Sequence, residues 1–573
     1  MLLKKSHLPA ALALSLFFLA CGKTCLAYTV VSGTIYVTDG SQADVNSALA
    51  AAPAGDTIQI PPGTFTWGTN GAATYINSAV NLLGSGTSNT TIILDPGFST
   101  GYNEVINITA GATVGNFSLE PPANTEGGIS AGPATGWRVT NINYNNVGNS
   151  SVGYFCYAGS YGLIDNCTVA ANNGECELIF GRGPNDSWQT GSSMGKADNV
   201  IVEDSTFNGT GYVCDANSNA RFVIRFCTIT GPMKVDGHGL ASNTPARGVR
   251  QMEIYDNTWT STNSYWAIME LRGGTGVCFN NASVGSNLIF FFLNEYGATA
   301  PWANFGNVCQ TPYNYPIADQ IGEGPDLYVG GTSQGTFQPP GYVQNSGGSA
   351  PYYIWNVTQC GQPVAAVGSQ IPANAIAQYQ SEVGGTTATF TMVGPPSPDI
   401  IEEGRDYFQQ GGFNGNAPFT GADGVGVGTT TQMNGIKPTK IGVGFWVTDQ
   451  GTWNNNTPGS GMLYTWQIDP VTKLPTWEPT YTPYQYPDPQ AGTAIVTGST
   501  GTTGTGSTGG GSTGSTGTGS SGGGSTGTGS TGGTGTSGGG WVSTNGVWTF
   551  SPYAPAAPAT VPPAPTNLQV TGT

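Results

Sequence analysis

The sequence is poor in charged residues and has almost no histidine. Charged residues make up 9% of its 573 residues, there are two histidines, and 16 Lys and Arg stand against 33 Asp and Glu. This acidic balance excludes general nucleic-acid binding, which needs a basic footprint. No apolar run, that of residues 8–20 included, is long enough to span a bilayer, so the sequence predicts no membrane span.

The cysteines show no metal-binding pattern. No CxxC pair and no His/Cys spacing typical of zinc is present. Eight cysteines follow residue 27, an even number that permits disulfides in 105 pairings. The alternative is burial in the protein core, which we consider for Cys167 and Cys227.

The N-terminus is typical of a secretory signal. Lys4 and Lys5 precede the apolar run, and Cys25-Leu26-Ala27 offers small residues for cleavage. A lipoprotein signal ending at Cys21 is the alternative. Without residues 1–27 the chain carries 13 Lys and Arg against 33 Asp and Glu, a formal charge of −20. We therefore expect a secreted or cell-surface protein, and a monomer.

A degenerate six-residue repeat is the strongest internal signal. In most copies an apolar residue begins the segment, a small or polar residue lies three positions on, and an apolar residue closes it. Neighbouring copies start 22–38 residues apart, as expected for one solenoid rung with or without a loop insertion. Asn and Thr side chains at matching positions can form hydrogen-bonded ladders between neighbouring rungs. The copies begin at Val114, Ile142, Ile164, Val202, Ile224, Ile254 and Cys278.

The start of the repeat region resembles the pectin-lyase-like β-helix superfamily. Residues 43–52 predict a short capping helix, and Thr57-Ile58-Gln59-Ile60 predicts a strand ended by Pro61-Pro62-Gly63. Together with Val80–Gly86 and Thr91–Ile93, this stretch is similar to that family's cap and first rungs. The resemblance implies an all-β, right-handed parallel β-helix.

Composition divides the rest of the chain. Residues 497–540 contain only Gly, Ser and Thr and predict a flexible linker. Pro562–Val570 resembles the opening strand of a fibronectin-type-III-like module. The predicted organisation is a signal peptide (1–27), a β-helix (28–360), further rungs with an aromatic-rich cap (361–496), the linker (497–540) and a Pro/Ala-rich tail (541–573).

Basic residues concentrate between positions 182 and 272, beside several acids. Strand alternation places Lys234, Asp236 and His238 on one face, with Val235 toward the core. Glu270 and Arg272 would point outward roughly one rung later, opposite to Met269 and Leu271. Residues one rung apart stack at about 4.8 Å, close enough to couple their charges. Both outward sets are therefore predicted to line one groove.

This groove is a candidate polysaccharide site. The superfamily resemblance implies the fold and no single activity; a lyase of this superfamily would use an Arg or Lys base and calcium held by carboxylates. Surface tryptophans offer stacking faces for sugars, and an exposed ion-pair ladder is the non-functional alternative. The candidate catalytic residues are Asp215, Lys234, Asp236, His238, Arg250 and Arg272; the candidate substrate-binding residues are Arg247, Glu270 and Trp266; the candidate calcium ligands are Asp215, Asp236 and Glu253.

Gly237-His238-Gly239 also resembles a motif of polygalacturonases, which are inverting hydrolases on the same fold. Asp215 lies about where the resemblance implies a catalytic aspartate, but Cys214 stands where a second aspartate is expected. The sequence thus leaves two hypotheses: an exported lyase or hydrolase acting on acidic polysaccharide, and a noncatalytic carbohydrate-binding or adhesive surface solenoid.

Overall fold

The structure, a computed structural model, describes most of the repeat region and the aromatic-rich segment. The chain divides into two compact units, Met1–Thr500 and Gly501–Thr573. The described residues are 27–98, 104–121, 128–147, 154–156, 160–171, 176–177, 179–181, 187–188, 190–216, 219–237, 248–260, 269–271, 273–284, 291–293, 321–322, 324–325, 349–363, 403–410, 419–492, 541–544 and 547–550.

Short strands dominate the described residues. In chain order they are β1 (Tyr28–Val31), β2 (Thr34–Val37), β3 (Thr57–Gln59), β4 (Gly63–Trp67), β5 (Thr74–Ile76), β6 (Asn81–Leu83), β7 (Thr90–Leu94), β8 (Ile106–Ile108), β9 (Thr113–Glu120), β10 (Ile129–Ala131), β11 (Thr135–Val147), β12 (Tyr154–Cys156), β13 (Tyr161–Asp165), β14 (Thr168–Ala171), β15 (Cys176–Glu177), β16 (Ile179–Gly181), β17 (Val200–Glu203), β18 (Thr206–Asn208), β19 (Gly211–Ala216) and β20 (Arg221–Arg225). They continue with β21 (Thr228–Thr230), β22 (Met233–Gly237), β23 (Gln251–Tyr255), β24 (Thr258–Thr260), β25 (Met269–Leu271), β26 (Thr275–Phe279), β27 (Ala282–Val284), β28 (Phe291–Leu293), β29 (Tyr352–Trp355), β30 (Thr358–Gln359), β31 (Gln362–Pro363), β32 (Tyr407–Gln409), β33 (Val425–Gly428), β34 (Gly444–Val447), β35 (Met462–Ile468), β36 (Pro475–Tyr481), β37 (Trp541–Thr544) and β38 (Val547–Phe550). The α-helices are α1 (Gln42–Ala51) and α2 (Thr430–Asn434), and Thr69–Gly71 forms a 3-10 turn.

The strands stack into three parallel series, and the predicted fold is confirmed: the chain is an all-β parallel β-helix. Face A runs through β2, β3, β6, β9, β11, β13, β17, β20, β23, β26, β29 and β32. Face B runs through β4, β7, β9, β11, β14, β18, β21, β24, β27 and β30. Face C runs through β5, β8, β10, β12, β16, β19, β22, β25 and β28. Strands of successive rungs pair in parallel on each face, and β9 and β11 belong to both face A and face B, so residues at the same register form ladders along the helix axis.

The corner between faces A and B has a repeated backbone conformation. One residue per rung adopts a left-handed φ of +49° to +62° there. Asn and Asp tolerate this conformation better than other non-glycine residues, which explains their frequency at the corner, one position before the small or polar residue of the repeat. Phe226 is the exception, and its ring stacks on Tyr486 at 3.7 Å. The corner residues are Asn116, Asn141, Asn166, Asp204, Phe226, Asp256, Asn280 and Asn356.

Backbone register confirms the repeat with one correction. Val114 pairs with Val139 and Val139 with Ile164, so the copy predicted to begin at Ile142 begins at Val139. The error arose because Ile142 also points into the core, directly after the left-handed Asn141. A further rung begins at Ile354, which pairs with Cys278.

A hairpin precedes the predicted capping helix. β1 and β2 are antiparallel, and β2 pairs in parallel with β3, so the first rung lies upstream of the strand predicted at Thr57–Ile60. Helix α1 then packs Val45 and Ala48 into the core. Its N-terminus is capped by the Ser41 hydroxyl, which accepts a hydrogen bond from the Asp44 amide.

The interior combines aliphatic residues with one buried polar ladder. Asn257 donates to the Ile224 carbonyl at 2.9 Å, and Asn281 donates to the Ile254 carbonyl at 2.7 Å. Asn281 also accepts from the side chain of Asn257 at 3.0 Å, so the two amides are joined and satisfied. Cys167, Cys214, Cys227 and Cys278 are buried and Cys360 is exposed. Burial is thus confirmed for Cys167 and Cys227.

The aromatic-rich segment covers the outside of face A. Strands β33–β36 form a four-stranded sheet that shares an apolar cluster with face A. Tyr255, Phe279 and Trp355 stack in successive rungs at 4.6 and 4.5 Å, and Trp446 of β34 packs on this stack at 4.9–5.0 Å. Such aromatic pairs each add roughly 0.5–1.5 kcal/mol beyond area burial. The sequence predicts further rungs and a cap in this segment. Of its described strands, β32 continues face A, and β33–β36 form the sheet that flanks face A.

After β36 the chain crosses face A as an extended C-terminal strap, residues 481–491. Two buried arginines bind it. Arg138 donates to the carbonyls of Gln490 and Ala491, and Arg225 donates to those of Tyr484 and Gln485. In the second unit β37 and β38 form an antiparallel hairpin. Among the described residues no helix is both long and apolar enough to cross a membrane.

Candidate functional site

The site predicted on face C begins with strand β22. Its Met233 and Val235 belong to the buried apolar core. Because side chains alternate along a strand, Lys234 and Asp236 project to the opposite side. The predicted facing of these residues is therefore confirmed.

Two neighbouring rungs place further carboxylates beside Asp236. Asp215 of β19 pairs in register with Asp236, and Asp236 pairs with Glu270 of β25. Met269 and Leu271 flank Glu270 and enter the core, so Glu270 points outward as predicted. Asp215, Asp236 and Glu270 thus form a carboxylate ladder in three successive rungs, about 4.8 Å apart along the backbone.

Lys234 is the cation of this ladder in the described structure. Its Nζ lies 2.9 Å from Glu270 Oε2 and 3.5 Å from Asp236 Oδ2. The same ammonium lies 4.3 Å from the centroid of the Tyr212 ring, in the preceding rung. A cation over an aromatic face gains about 0.5–2 kcal/mol, more when desolvated. Lys234 is therefore fixed between two rungs by two carboxylates and one ring.

The ladder is nearly excluded from solvent. Relative exposure is 5% for Asp215, 0% for Asp236, 3% for Glu270 and 1% for Lys234. Among the described residues the cluster holds three carboxylates and one ammonium. Water exclusion strengthens the coupling between these groups. The cluster is buried, so these residues form neither the exposed ion-pair ladder nor the open groove that the sequence predicts.

Two predicted site residues lie elsewhere. Arg250 donates from Nε to the Ser187 carbonyl at 3.1 Å, and its guanidinium lies 5.2 Å from the Trp188 ring. Glu253 lies on face A under the C-terminal strap, where it accepts from the Tyr481 hydroxyl at 2.7 Å and the Gly195 amide at 3.0 Å. Burial raises the pKa of Glu253 to about 7, although the two hydrogen bonds act in the opposite direction and lower it.

The predicted calcium triad is not assembled. Asp215 and Asp236 lie on face C, whereas Glu253 points out of face A. Among the described residues no group of three or more His, Cys, Asp or Glu side chains is arranged to hold a metal ion. The sequence could have shown this, because Glu253 directly precedes the repeat copy that begins at Ile254 on face A, whereas Asp215 and Asp236 lie outside the repeat copies.

The remaining candidates fall outside the described residues. These are His238, Arg247, Trp266 and Arg272. Of the tryptophans considered as sugar-stacking surfaces, Trp137, Trp188 and Trp355 are at most 1% exposed, so stacking on a sugar is excluded for them.

The resemblance to polygalacturonases predicts a second aspartate at position 214, where this chain has Cys214. Cys214 points into the core, and Asp236 of the next rung supplies the neighbouring carboxylate instead. Sequence reasoning also missed a polar pocket at the start of face A, whose residues follow no strand periodicity. Its lining includes Tyr161, Ser192, Lys196, Asp198 and Arg221.

Comparison with known proteins gives only remote similarity. No protein-family profile matches the chain, and no curated protein matches it. The chain is similar to an alginate lyase from Paenibacillus sp. str. FPU-7, with 15% identity and a TM-score of 0.30 over 44% of this chain and 95% of that one. It is similar to a pectin methylesterase in complex with a hexasaccharide, with 12% identity and a TM-score of 0.29 over 64% of this chain and 100% of that one. A GH87 alpha-1,3-glucanase catalytic domain has 13% identity and a TM-score of 0.27 over 45% of this chain and 54% of that one.

Proposed function

We propose that the chain is an exported, carbohydrate-active enzyme, a glycoside hydrolase with Asp215 and Asp236 as its working carboxylates. The observation that carries this proposal is the carboxylate ladder, with side chains directed away from the core at one register of successive rungs. Glycosidic bond hydrolysis requires two carboxyl groups on either side of the scissile bond. A parallel β-helix supplies such a pair from neighbouring rungs.

The spacing of Asp215 and Asp236 suits a double-displacement reaction. One rung separates them, about 4.8 Å, close to the 5–5.5 Å between carboxyl groups in retaining glycosidases. Asp236 forms a bond to the anomeric carbon while Asp215 protonates the departing glycosidic oxygen. Water, deprotonated by Asp215, then breaks the Asp236–sugar bond and returns both carboxyl groups to their starting state.

Lys234 favours hydrolysis over β-elimination. A lyase base must be free to take a proton from the sugar, whereas the Lys234 ammonium contacts two carboxylates. Its positive charge instead offsets repulsion between Asp236 and Glu270. We assign Lys234 to positioning these carboxylates, with Asp236 as the nucleophile.

A neutral polysaccharide fits this site better than the acidic one expected from sequence. That expectation rested on the basic residues between 182 and 272. In the described structure four of them are committed to internal partners: Arg221 to Asp198, Arg225 to Glu203, Lys234 to Glu270, and Arg250 to the Ser187 carbonyl.

A noncatalytic carbohydrate-binding solenoid is the second candidate. The near-complete burial of Asp236 and Lys234 favours it, because a buried and internally paired cluster also stabilises a fold without reacting. In that case the ladder would hold the rungs in register. Both candidates predict glycan binding, and they differ in turnover.

The test is hydrolysis of a panel of neutral and acidic polysaccharides by the full chain, its Asp215→Asn variant and its Asp236→Asn variant. Each substitution preserves shape, and we expect a loss of about 100-fold or more in release of reducing ends. Asp423→Asn is the matched control, since Asp423 is exposed and pairs only loosely with Lys440 at 3.4 Å.

Thermal unfolding should show that all three variants remain folded. Wild-type activity retained by Asp215→Asn and Asp236→Asn would refute the assignment. Wild-type protein that binds a glycan array but releases neither reducing ends nor unsaturated products would establish the noncatalytic solenoid instead.

A further inference from the structure

A polar pocket of about 380 Å³ opens at the start of face A, away from the carboxylate ladder of face C. Its floor includes Arg221, the first residue of β20, and Tyr161, the first residue of β13. Residues 190–198 supply the rest of the wall. The volume lies within the range of about 300–1,000 Å³ found for small-molecule sites.

The wall of the pocket is held by buried side chains. The Arg221 guanidinium, 5% exposed, donates to the Ser193 hydroxyl and to Asp198 at 3.3 Å. Gln251 accepts from the Ser193 amide at 2.8 Å and donates to Asn199 at 2.8 Å. Asn199 in turn donates to the Ser193 carbonyl at 2.9 Å. The loop is thus preorganised, which lowers the entropy cost of ligand binding.

The groups at the pocket surface alternate between donors and acceptors. Lys196 is exposed, and Asp198 retains 43% side-chain exposure beside it. The hydroxyls of Thr190, Ser192 and Ser193 are held in the wall, where they donate to the Ser187 carbonyl, Gln251 and Asp198 respectively. Tyr161 adds a half-buried aromatic ring. Vicinal hydroxyl groups of a sugar offer the matching set, with one hydroxyl donating to Asp198 and its neighbour accepting from Lys196.

We propose that this pocket binds one unit of a neutral saccharide. Among the described lining residues, the pairing of Asp198 with Arg221 leaves Lys196 as the one charge without an opposite charge, which is too little to attract a polyanion to a chain of formal charge −17. The inference does not depend on catalysis by the carboxylate ladder, since the two sites share no residue. In a hydrolase it would be a secondary site that keeps the polymer on the protein.

Gly191 gives a direct way to close the pocket. It lines the cavity, and nothing lies within 4 Å of the position that a Cβ would occupy. Gly191→Phe should therefore fold normally and fill the space, and Gly191→Ala should have a smaller effect. Lys440→Ala is the control, because Lys440 is an exposed lysine paired at 3.4 Å with Asp423, remote from this wall.

The experiment measures binding of neutral cello-, xylo-, manno- and maltohexaose to the full chain by calorimetry, beside a hexauronate. We expect one neutral hexasaccharide to bind, with affinity reduced at least tenfold by Gly191→Phe and unchanged by Lys440→Ala. Binding that survives Gly191→Phe in a folded variant, binding of the hexauronate alone, or no binding of any probe would overturn the proposal.

Failure of this site is distinguishable from failure of the proposed hydrolase. Asp236→Asn should abolish release of reducing ends and leave hexasaccharide binding at the pocket intact. Gly191→Phe should weaken binding, while the rate on a short soluble substrate that occupies only the ladder stays at the wild-type value. A Gly191→Phe variant with unchanged binding and full activity would refute the pocket alone.

Discussion

The hydroxyl of Tyr481 donates a 2.7 Å hydrogen bond to the carboxylate of Glu253, although 228 residues separate them in the chain. Glu253 is fully buried on the outer side of face A, and the C-terminal strap covers it. This contact joins the strap to the middle of the β-helix. It also places an ionisable group where burial opposes its charge.

Glu253 should make stability depend on pH. Burial raises the pKa of its carboxyl from 4.5 to about 7. A raised folded-state pKa means that the folded protein binds the proton more tightly than the unfolded chain. The stabilisation is therefore complete below pH 4.5, falls as the pH rises toward 7 and is absent above that, with an upper bound of about 3 kcal/mol.

Glu253→Gln tests this dependence. A glutamine can accept from the Gly195 amide and donate to the Tyr481 oxygen, so the geometry is kept while the titration is removed. Asp256, whose pKa burial also raises to about 7, stays in both proteins. The difference in the free energy of unfolding between wild type and variant, measured by urea denaturation, should change between pH 4.5 and 7. A difference that is constant across that window would contradict the prediction.

Arg225 should be indispensable for docking of the C-terminal strap. It is fully buried, binds Glu203 through Nε and Nη2 at 2.9 and 2.6 Å, and donates to the carbonyls of Tyr484 and Gln485. Arg225→Met leaves Glu203 buried without its cation, at a cost of about 3–5 kcal/mol. Arg225→Lys keeps a charge but cannot reach both partners at once.

The readout for Arg225 is hydrogen exchange of residues 481–491 together with the free energy of unfolding. We expect Arg225→Met to speed exchange of the strap and Arg225→Lys to give an intermediate effect. Exchange of the strap at the wild-type rate in Arg225→Met would show that the arginine does not hold it.

Lys234 should contribute far more to stability than a surface lysine. Its removal takes the cation away from two buried carboxylates, so Lys234→Met is expected to destabilise the fold by about 3–5 kcal/mol. Lys440→Ala removes a lysine from an exposed pair of similar length and should change stability by less than about 1 kcal/mol. Thermal and urea unfolding measure both. Equal effects of the two substitutions would contradict the buried pairing of Lys234.

Local patterns predicted the facing of side chains but not their neighbours. Alternation along β22 gave the outward positions of Lys234 and Asp236, because that property depends only on a few adjacent residues. The motif predicts the second carboxylate beside Asp215 at position 214, whereas in the structure the neighbouring carboxylate is Asp236 of the next rung. Insertions of variable length between rungs remove any fixed spacing from which such partners could be found.

The misplaced Glu253 and the missed pocket have different causes. Glu253 directly precedes the repeat copy that begins at Ile254 on face A, but the calcium prediction grouped carboxylates by their closeness in sequence and not by the repeat. Lys196 and Asp198 lie in a loop without periodicity, and their role depends on burial of Arg221 beneath them. Only the stacked structure brings these groups together.

The stereochemistry of hydrolysis should identify the carboxylate pair. Asp215 and Asp236 are one rung apart, about 4.8 Å, which predicts that the product first keeps the anomeric configuration of the substrate. Asp215 and Glu270 are two rungs apart, about 10 Å, near the upper end of the separation used for inversion. Proton NMR of the anomeric signal in the first minutes of reaction distinguishes the two outcomes before mutarotation. Inversion would transfer the role of Asp236 to Glu270, and Glu270→Gln, not Asp236→Asn, would then be the variant that abolishes turnover.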